Sequence, residues 1–494
     1  MIKHLRIFLA LVLLMAVSAA KAQGPYYQKI GDIYYSYTPT GERSLRTATA
    51  SKCTNEYIYK CNIPDTVMVD YWQYGQSFQR AHTVTSIGYS CFKGLKFLSK
   101  VTLPETIEMI GESSFKGCTS LESIDIQKAN LQDSCFSGCT DLRSVHLYNS
   151  RYCRNYCFSG CSRLEKITFP CIESLGKGCF EGCTSLTNIT IPNSVTELGE
   201  ECFEGCTSLA SITIPNSVTE LGNYCFKGCT SLKSVTIPNS VTELGWGCFY
   251  GCTSLKSVTI PSSVTSLRGS CFAGCTSLTS ITIPNSVTEL GDYCFKGCTS
   301  LKSVTIPNSV TELGFYCFSG CTSLTSVTIP NSVTYIGSDC FQGCTSLTSV
   351  TIPNSVTYIS DCFQGCTSLK EVTCLADTPP ITSASFEDEA EKTLYVPAAS
   401  VDAYKSSSYE WKYFGKVLPV NTSGIKTVSK DDIGMSVDNS TLTLSNVPEN
   451  EAVNVYSTTG QLLGTGKGNL SVDAQGAQMV IVKVGGKSYK VLVK

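Results

Sequence analysis

Hydrophobic residues recur in a fixed order along the middle of the chain, and the stretch Cys229–Gly251 shows that order once. Val235 and Ile237 alternate with serine and threonine, which is the period-two pattern of a β-strand with one buried face. Pro238 lacks a backbone donor and ends the strand, and Gly245 permits the turn that follows. The other inward-pointing apolar positions of the unit are Leu232, Val241, Leu244 and Phe249. The pattern predicts one short strand and one turn-rich return for each unit.

The unit is 23 residues long and recurs without change of length through the centre of the chain. Its first cysteine stands at Cys183, Cys206, Cys229, Cys252, Cys275, Cys298, Cys321 and Cys344. Looser copies extend the array over residues 83–374. A fixed period of this size predicts a solenoid, in which each unit packs only against its neighbours and stacking buries the apolar face.

The segments outside the array lack this period. Residues 23–82 are rich in tyrosine and short strand-like runs, which predicts a cap over the first open edge of the solenoid; a sugar-binding aromatic patch is the alternative. Residues 375–419 are predicted to form a closing cap, and residues 420–432 form a linker by composition. Residues 433–494 alternate short apolar runs with turn residues, which predicts a small β-sandwich.

The amino terminus has the pattern of an export signal. Basic residues near the start precede the apolar run Ile7–Val17, and Ala20-Lys21-Ala22 supplies small residues at a cleavage position. The run is too short to span a membrane as a helix, and the arrangement is typical of a secretory signal peptide at residues 1–22. We therefore expect an exported chain, not inserted in a membrane after cleavage, in a compartment where disulfides persist.

The consensus L-x-x-V-x-I-P-x-x-V-x-x-L-G-x-x-C-F-x-G-C resembles the BspA-like branch of the leucine-rich repeats. The resemblance implies an α/β-type, strand-rich repeat solenoid, a right-handed coil with a parallel sheet on its concave side. It also implies a surface-associated role in adhesion. The chain departs from the family at the residue before phenylalanine, which is cysteine where the family usually has alanine. Val455–Gln461 and the terminal Lys490–Lys494 resemble the C-terminal sorting domains of type IX secretion, which implies export by that route.

Cysteine is abundant, with 29 residues, and eleven repeats carry both cysteines of C-F-x-G-C. Residues four apart on a helical turn lie about 6 Å apart, which permits a disulfide without requiring one. Three arrangements stay open: two columns of buried thiols, a bridge within each repeat, or a bridge from the first cysteine of one repeat to the second of the next. The central pairs are Cys202/Cys206, Cys225/Cys229, Cys248/Cys252, Cys271/Cys275, Cys294/Cys298, Cys317/Cys321 and Cys340/Cys344.

The two residues before the first cysteine vary between copies, whereas the buried positions hardly change. Large aromatic residues occupy several of these places and one place inside the motif, and exposed aromatic residues are favoured at protein interfaces. The candidate ligand-binding residues are Tyr224, Trp246, Tyr250, Tyr293, Phe315 and Tyr316. The alternative is drift at positions that are free of packing constraints.

Two polar columns accompany the apolar ones. An asparagine follows the strand proline in most copies, from Asn193 to Asn354, and its amide is expected to satisfy unpaired backbone groups at the turn. A glutamate column is expected to fan into solvent. Its members are Glu197, Glu220, Glu243, Glu289 and Glu312.

The remaining composition mainly excludes functions. With 38 basic and 40 acidic residues the formal charge is −2, so nothing points to nucleic acid. The chain has three histidines and no phosphate loop or zinc pattern, so we expect no enzyme, cofactor or metal site. The sequence therefore predicts an exported cell-surface or secreted adhesin that binds an extracellular protein or glycan through its solenoid surface. The alternative is a structural spacer without specific ligand affinity.

Overall fold

The computed structural model describes residues 26–37, 47–73, 76–420 and most of 434–492; the latter comprise 434–438, 441–445, 447, 449, 451–457, 461–474, 479–484 and 487–492. The expected signal peptide (1–22) and nearly all of the expected linker (420–432) lie outside the described residues. The chain divides into two compact units, Met1–Val241 and Thr242–Lys494, which are described in turn.

The first unit begins with six strands that add to the edges of a coil. They are β1 (Tyr26–Ile30), β2 (Ile33–Tyr37), β3 (Thr47–Cys53), β4 (Lys60–Asn62), β5 (Thr66–Gln73) and β6 (Gln76–Ile87). Strands β1, β2 and β3 pair antiparallel in succession, β5 and β6 form an antiparallel hairpin, and β3 pairs parallel with β6. Aromatic and β-branched residues favour this sheet because their side chains pack on a pleated surface.

Each coil of the first unit then contributes two short strands. The longer ones are β7 (Lys100–Thr102), β9 (Ser123–Ile126), β11 (Ser144–Leu147), β13 (Lys166–Thr168), β15 (Asn188–Thr190), β17 (Ser211–Thr213) and β19 (Ser234–Thr236). The shorter ones are β8 (Met109–Ile110), β10 (Asn130–Leu131), β12 (Tyr152–Cys153), β14 (Ser174–Leu175), β16 (Glu197–Leu198) and β18 (Glu220–Leu221). Strands β6 and β4 pair parallel with β8 and β7, so the first segment extends both sheets.

The second unit repeats this plan. Its longer strands are β21 (Ser257–Thr259), β22 (Ser280–Thr282), β24 (Ser303–Thr305), β26 (Ser326–Thr328), β28 (Ser349–Ile352), β30 (Glu371–Cys374), β32 (Thr393–Val396) and β33 (Lys416–Pro419). Its shorter strands are β20 (Glu243–Leu244), β23 (Glu289–Leu290), β25 (Glu312–Leu313), β27 (Tyr335–Ile336), β29 (Tyr358–Ser360) and β31 (Ile381–Ser383). Strands of one kind pair parallel from coil to coil, so the predicted parallel-stranded repeat solenoid is confirmed.

The end of the array contains the short helical segments. They are three 3-10 helices, Glu389–Glu391, Ala398–Ser400 and Glu410–Tyr413, and the single-turn helix α1 (Val401–Lys405). Trp411 and Tyr404 are buried here, and each donates one hydrogen bond to a backbone carbonyl, at 2.7 Å from Nε1 to Pro380 and at 2.8 Å from the hydroxyl to Ala376. Two large aromatic side chains with satisfied polar atoms thus cover the last coil.

The carboxyl-terminal strands form two antiparallel sheets. They are β34 (Gly434–Asp438), β35 (Thr441–Ser445), β36 (Ala452–Ser457), β37 (Leu462–Lys467), β38 (Leu470–Asp473), β39 (Met479–Val484) and β40 (Lys487–Leu492). One sheet has the order β34-β35-β38 and the other β37-β36-β39-β40. Side chains from both sheets share one buried cluster: Leu442, Leu444, Val447, Val453, Val455, Val472, Ala474, Val480, Val482 and Val484. The predicted small β-sandwich agrees with this arrangement.

One glycine column of the repeat, which includes the Gly245 assigned to a turn from the sequence, also allows a close approach between coils, as Gly314 shows. A Cβ added to Gly314 would lie 2.5 Å from the backbone nitrogen of Asp292 and 2.5 Å from the carbonyl carbon of Gly291, both in the preceding coil. The other glycine of the repeat does need conformational freedom, because Gly320 inside C-F-x-G-C has φ +72°.

A ladder of hydrogen bonds at the turn after the longer strand comes from serine, and not from asparagine as predicted. Ser332 Oγ donates to the carbonyl of Val310 at 2.6 Å, and Ser286 Oγ donates to Val264 at 2.6 Å. Serine therefore satisfies the backbone carbonyls that the sequence had assigned to the asparagine amide.

Candidate functional site

The motif C-F-x-G-C forms a tight turn, so the helical geometry considered for the two cysteines does not apply. In the coil of Cys202 and Cys206, the amide of Cys206 donates to the carbonyl of Phe203 at 3.1 Å, and Gly205 has φ +69°. Successive turns are joined because the Phe203 amide donates to the carbonyl of Cys225 at 2.8 Å. The motif therefore sets both the turn and the contact to the next coil.

All 29 cysteines are free thiols in the structure, and all except Cys171 are buried. The second cysteine of each motif donates a hydrogen bond from Sγ to the phenylalanine carbonyl of the preceding coil, at 3.0–3.3 Å. The donors are Cys118, Cys139, Cys161, Cys183, Cys206, Cys229, Cys275, Cys298, Cys321, Cys344 and Cys366. A buried thiol with a regular acceptor is a structural group, and a disulfide from this column would remove the hydrogen bond.

Burial also makes these thiols poor nucleophiles. It raises the pKa of Cys206 and of Cys298 from 9.0 to about 12, since the thiolate loses its hydration inside the coil. Within the described part of the chain, no group of three or more histidine, cysteine or acidic side chains has an arrangement that could hold a metal ion. Both cysteine columns therefore stabilise the coil as buried thiols, and the described residues show no arrangement that could bind a metal ion.

Several of the predicted surface aromatic residues have an unusual backbone conformation. Tyr224, Tyr293 and Tyr316 directly precede the first cysteine and have φ values of 55–59°, in the left-handed region. A bulky side chain there costs roughly 1–2 kcal/mol relative to glycine, and Gly247 occupies the same place in another coil. Ser90, Glu201, Ser270 and Asp339 have φ values of 53–59° at the same place in other coils, so this conformation belongs to the turn and not to the aromatic side chain.

Among the candidate ligand-binding residues, only Tyr224 lies in the first unit. Its ring is half-buried, and the ammonium of Lys227 lies 5.1 Å from the ring centroid. Lys227 also pairs with Glu204 at 2.8 Å. Tyr224 is thus held by a cation–π contact within its own turn.

Trp246 and Tyr250 lie in the first coil of the second unit and are 47% and 44% exposed. The Trp246 ring covers Gly269 of the next coil so closely that a Cβ on Gly269 would clash with it. These two residues lie two coils before Tyr293, so they are separate from the contacts described next.

Tyr293 and Tyr316 are stacked on neighbouring coils. Their ring centroids are 5.2 Å apart with an interplanar angle of 4°. The ammonium of Lys296 lies 5.1 Å from the Tyr293 centroid and 5.0 Å from that of Tyr316. One lysine thus binds two stacked rings and fixes their orientation.

Phe315 connects this pair to a neighbouring strand, where the sequence analysis missed two residues. Phe315 contacts Tyr335 edge-to-face with centroids 6.2 Å apart, and Tyr335 lies beside Glu312 in parallel register. Tyr358 follows one coil later and is 44% exposed. The signal was present in the sequence, because the glutamate column that reaches Glu312 continues as tyrosine at positions 335 and 358. We call Tyr293, Phe315, Tyr316, Tyr335 and Tyr358 the aromatic face.

Acidic groups surround the aromatic face. Asp292 accepts a hydrogen bond from the Phe315 amide at 2.8 Å, and a hydrogen bond to Asp339 raises the pKa of Tyr316 above 10. Burial, Asp292 and Glu312 together raise the pKa of Tyr335 in the same direction. The aromatic face therefore combines exposed rings with a negative local potential that one lysine partly offsets.

Comparisons with known proteins agree with this architecture. A leucine-rich repeat protein of known structure from Bacteroides ovatus is 29% identical, over 75% of this chain and 100% of that chain, with a TM-score of 0.56. A leucine-rich cell surface protein from Faecalibacterium prausnitzii is 27% identical, over 72% of this chain and 96% of that chain, with a TM-score of 0.47. No curated protein sequence matches the chain. Among the described residues, no helix has the length and apolar character needed to cross a membrane.

The family model for the BspA type leucine rich repeat region matches in six copies, at residues 71–174, 151–279 and 265–393. These matches cover more than half of the chain and coincide with the coils whose parallel strands and paired cysteines are described above. The chain belongs to the BspA type leucine-rich repeat family.

Proposed function

We propose that the chain is an exported adhesin that binds an extracellular protein through the aromatic face. Membership of the leucine-rich repeat family indicates a protein-interaction or surface role in general terms. The specific proposal rests on the large aromatic rings that consecutive coils of the second unit present at the surface.

The main observation is that four consecutive coils carry five large aromatic side chains, four of which contact one another in the pairs Tyr293–Tyr316 and Phe315–Tyr335. Tyr293, Phe315, Tyr335 and Tyr358 are 38–44% exposed, and Tyr316 is half-buried. Apolar rings in water lose the hydrophobic stabilisation that burial would provide. Rigid tyrosines supply contact area at a low cost in conformational entropy, which is why they dominate binding hot spots.

The charges around the aromatic face select the chemistry of the partner. Asp292, Asp339 and Glu312 lie beside the rings, and Lys296 is already occupied by Tyr293 and Tyr316. A protein segment that carries lysine or arginine complements this potential, and it can also place its cations over the exposed rings.

A binding panel tests the proposal. The chain from residue 23 onward would be titrated against immobilised matrix proteins and against a glycan array. The double variant Tyr293→Ala/Tyr316→Ala removes the stacked pair, and we expect it to weaken saturable binding by about tenfold to several hundredfold, as for one or two hot-spot residues. Tyr224→Ala is the matched control, because Tyr224 has the same backbone conformation and the same lysine contact without a stacked neighbour.

The outcomes are distinct. Equal losses in Tyr224→Ala and in the double variant would contradict the assignment to the aromatic face. Binding to glycans but to no protein would overturn the choice of partner. Absence of saturable binding to every panel member would favour the structural spacer.

We also propose that residues 433–494 act as a type IX sorting domain, on the strength of the resemblance at Val455–Gln461 and of the β-sandwich core formed by β34–β40. Deletion of this segment is expected to retain the chain in the periplasm because it removes the sorting signal. The coil keeps its own core without the segment, so the truncated chain should still fold. The measurement is protease accessibility on intact cells. Normal surface display of the truncated chain would refute the sorting role.

A further inference from the structure

The first cysteines of the motif contact one another between coils, an arrangement that the sequence alternatives did not include. In the second unit, the Cys340 thiol lies within hydrogen-bonding contact of Cys317 in the preceding coil and of Cys362 in the following coil. In the first unit, the Cys157 thiol contacts Cys135 and Cys179 in the same way, and it also donates to the carbonyl of Gln132 at 3.3 Å. The second cysteines instead use their thiols on phenylalanine carbonyls, as Cys344 does on Phe318 at 3.3 Å.

The backbone around Cys340 holds adjacent coils at a spacing that suits a covalent bridge. The Phe318 amide donates to the Cys340 carbonyl at 2.8 Å, and the Phe341 amide donates to the Cys362 carbonyl at 3.0 Å. The rings next to these cysteines stack with centroids 5.4 and 5.5 Å apart. The backbone hydrogen bonds place adjacent coils at about the 4.7–4.9 Å spacing of paired strands. Disulfides join residues whose Cα atoms lie about 4.4–6.8 Å apart, so this coil spacing falls inside the required range.

A fourth thiol in the first unit strengthens the argument for this column. Cys153 occupies a position that is leucine in both neighbouring coils, in register with Leu131 and Leu175. Its thiol contacts Cys157 and Cys179. The extra cysteine therefore adds a further thiol at a point where the first column already brings sulfur atoms together.

We propose that Cys340 forms a disulfide with the first cysteine of an adjacent coil, Cys317 or Cys362, and thereby links neighbouring repeats covalently. Two thiols lose two protons and two electrons as one S–S bond forms. A disulfide oxidant accepts both and is reduced to two thiols; it is a protein disulfide donor outside the cytoplasm, or glutathione disulfide in the test. Because Cys340 has two neighbours and can form one bond, one of the three thiols stays free.

The disulfide should form during folding, before the coil has buried the Cys340 thiol. Thiolates carry out disulfide exchange, and burial raises the pKa of Cys340 well above its ordinary value, so the folded coil holds this thiol protonated. We therefore expect oxidation by glutathione disulfide to be at least about tenfold faster during refolding than in the native reduced chain.

Peptide mapping without reduction tests the bridge. The chain would be refolded in a glutathione redox buffer, blocked with an alkylating reagent at acid pH, and cleaved before aspartate. Cleavage before Asp339, Asp361 and Asp377 isolates residues 339–360, which contain Cys340 and Cys344, from residues 361–376. We expect peptide 339–360 to be covalently joined to peptide 292–338 or to peptide 361–376. An unlinked peptide 339–360 that is lighter by two hydrogens would show a bridge within the repeat and overturn the proposal.

Two serine variants show whether Cys340 or Cys344 forms the disulfide between coils. Cys340→Ser should abolish the linkage, whereas the matched control Cys344→Ser should leave it intact. Serine already occupies the first column at Ser114 and Ser385, both buried and hydrogen-bonded, so the fold should accept it. Linkage that persists in Cys340→Ser and disappears in Cys344→Ser would overturn the proposal in favour of a bridge from the second column, and full alkylation of the wild-type chain would overturn both.

Discussion

The phenylalanine column is the part of the repeat whose contribution to stability can be calculated most directly. Phe318 is fully buried and stacks on Phe295 and Phe341, with centroids 5.3 and 5.4 Å apart and interplanar angles of 9° and 4°. A buried phenylalanine removes roughly 150–250 Å² from water, which at about 25 cal/mol per Å² corresponds to about 4–6 kcal/mol. Measured Phe→Ala substitutions in cores cost about 3–5 kcal/mol. We therefore expect Phe318→Ala to destabilise its coil by about 4 kcal/mol.

Hydrogen exchange suits this prediction, because a solenoid opens coil by coil and a single global unfolding free energy is poorly defined. A loss of about 4 kcal/mol raises the exchange of amides in the adjoining turns, including those of Phe295 and Phe318, by about a thousandfold. Phe318→Leu keeps most of the apolar contact and loses two ring contacts of about 0.5–1.5 kcal/mol each, so it should lose about 1–3 kcal/mol. Phe315→Ala is the exposed control three residues away. The reasoning is refuted if Phe318→Ala and Phe315→Ala change protection equally.

Three further predictions concern the coil. Gly314→Ala places a Cβ 2.5 Å from the preceding backbone and should cost about 1–3 kcal/mol in urea unfolding; an unchanged midpoint would contradict the close approach. Ser332→Ala leaves the Val310 carbonyl without its donor and should lower the free energy of unfolding by about 0.5–1.5 kcal/mol in the same assay. An unchanged free energy would show that water replaces the hydroxyl and would contradict this prediction. In reductant, thermal stability should be constant below pH 9 and fall from pH 9 toward pH 12. Unfolded thiols ionise in that range, while the folded chain keeps Cys298 protonated because its pKa is raised to about 12. Each such thiol should therefore lower the free energy of unfolding by about 1.4 kcal/mol per pH unit. A stability that does not change up to pH 11 would refute this.

The repeat predicted the fold because every coil obeys the same local rules. Val235 lies in a strand and Ile237 directly follows it, and both are buried because they alternate with polar residues. A fixed period of 23 residues lets each strand pair with its counterpart in the next coil. The aromatic candidates were accessible to the same reasoning, since residues that face solvent are free to vary. Tyr335 was missed because a column named for glutamate was not followed past Glu312.

Other features depend on distances between coils that a sequence does not contain. The glycine at position 314 looks like any turn glycine until the preceding backbone is seen 2.5 Å from its missing side chain. The asparagine and serine that follow each proline are both capable of a ladder, and only the path of the turn decides that Ser332 makes it. Similarly, the first cysteine meets its counterpart in the next coil, whereas the second meets a carbonyl.

The sequence by itself determined the repeat length, the inward and outward positions and the membership of a coil, because those follow from periodicity and apolar burial within one unit. Only the tertiary structure decided which thiols touch, which glycine closely approaches the preceding coil and which rings form the aromatic face. Those outcomes depend on how far one coil lies from the next, and the spacing results from stacked Phe318 rings and shared backbone hydrogen bonds acting together. A single unit specifies its own turn, but contacts between units exist only once the units are stacked.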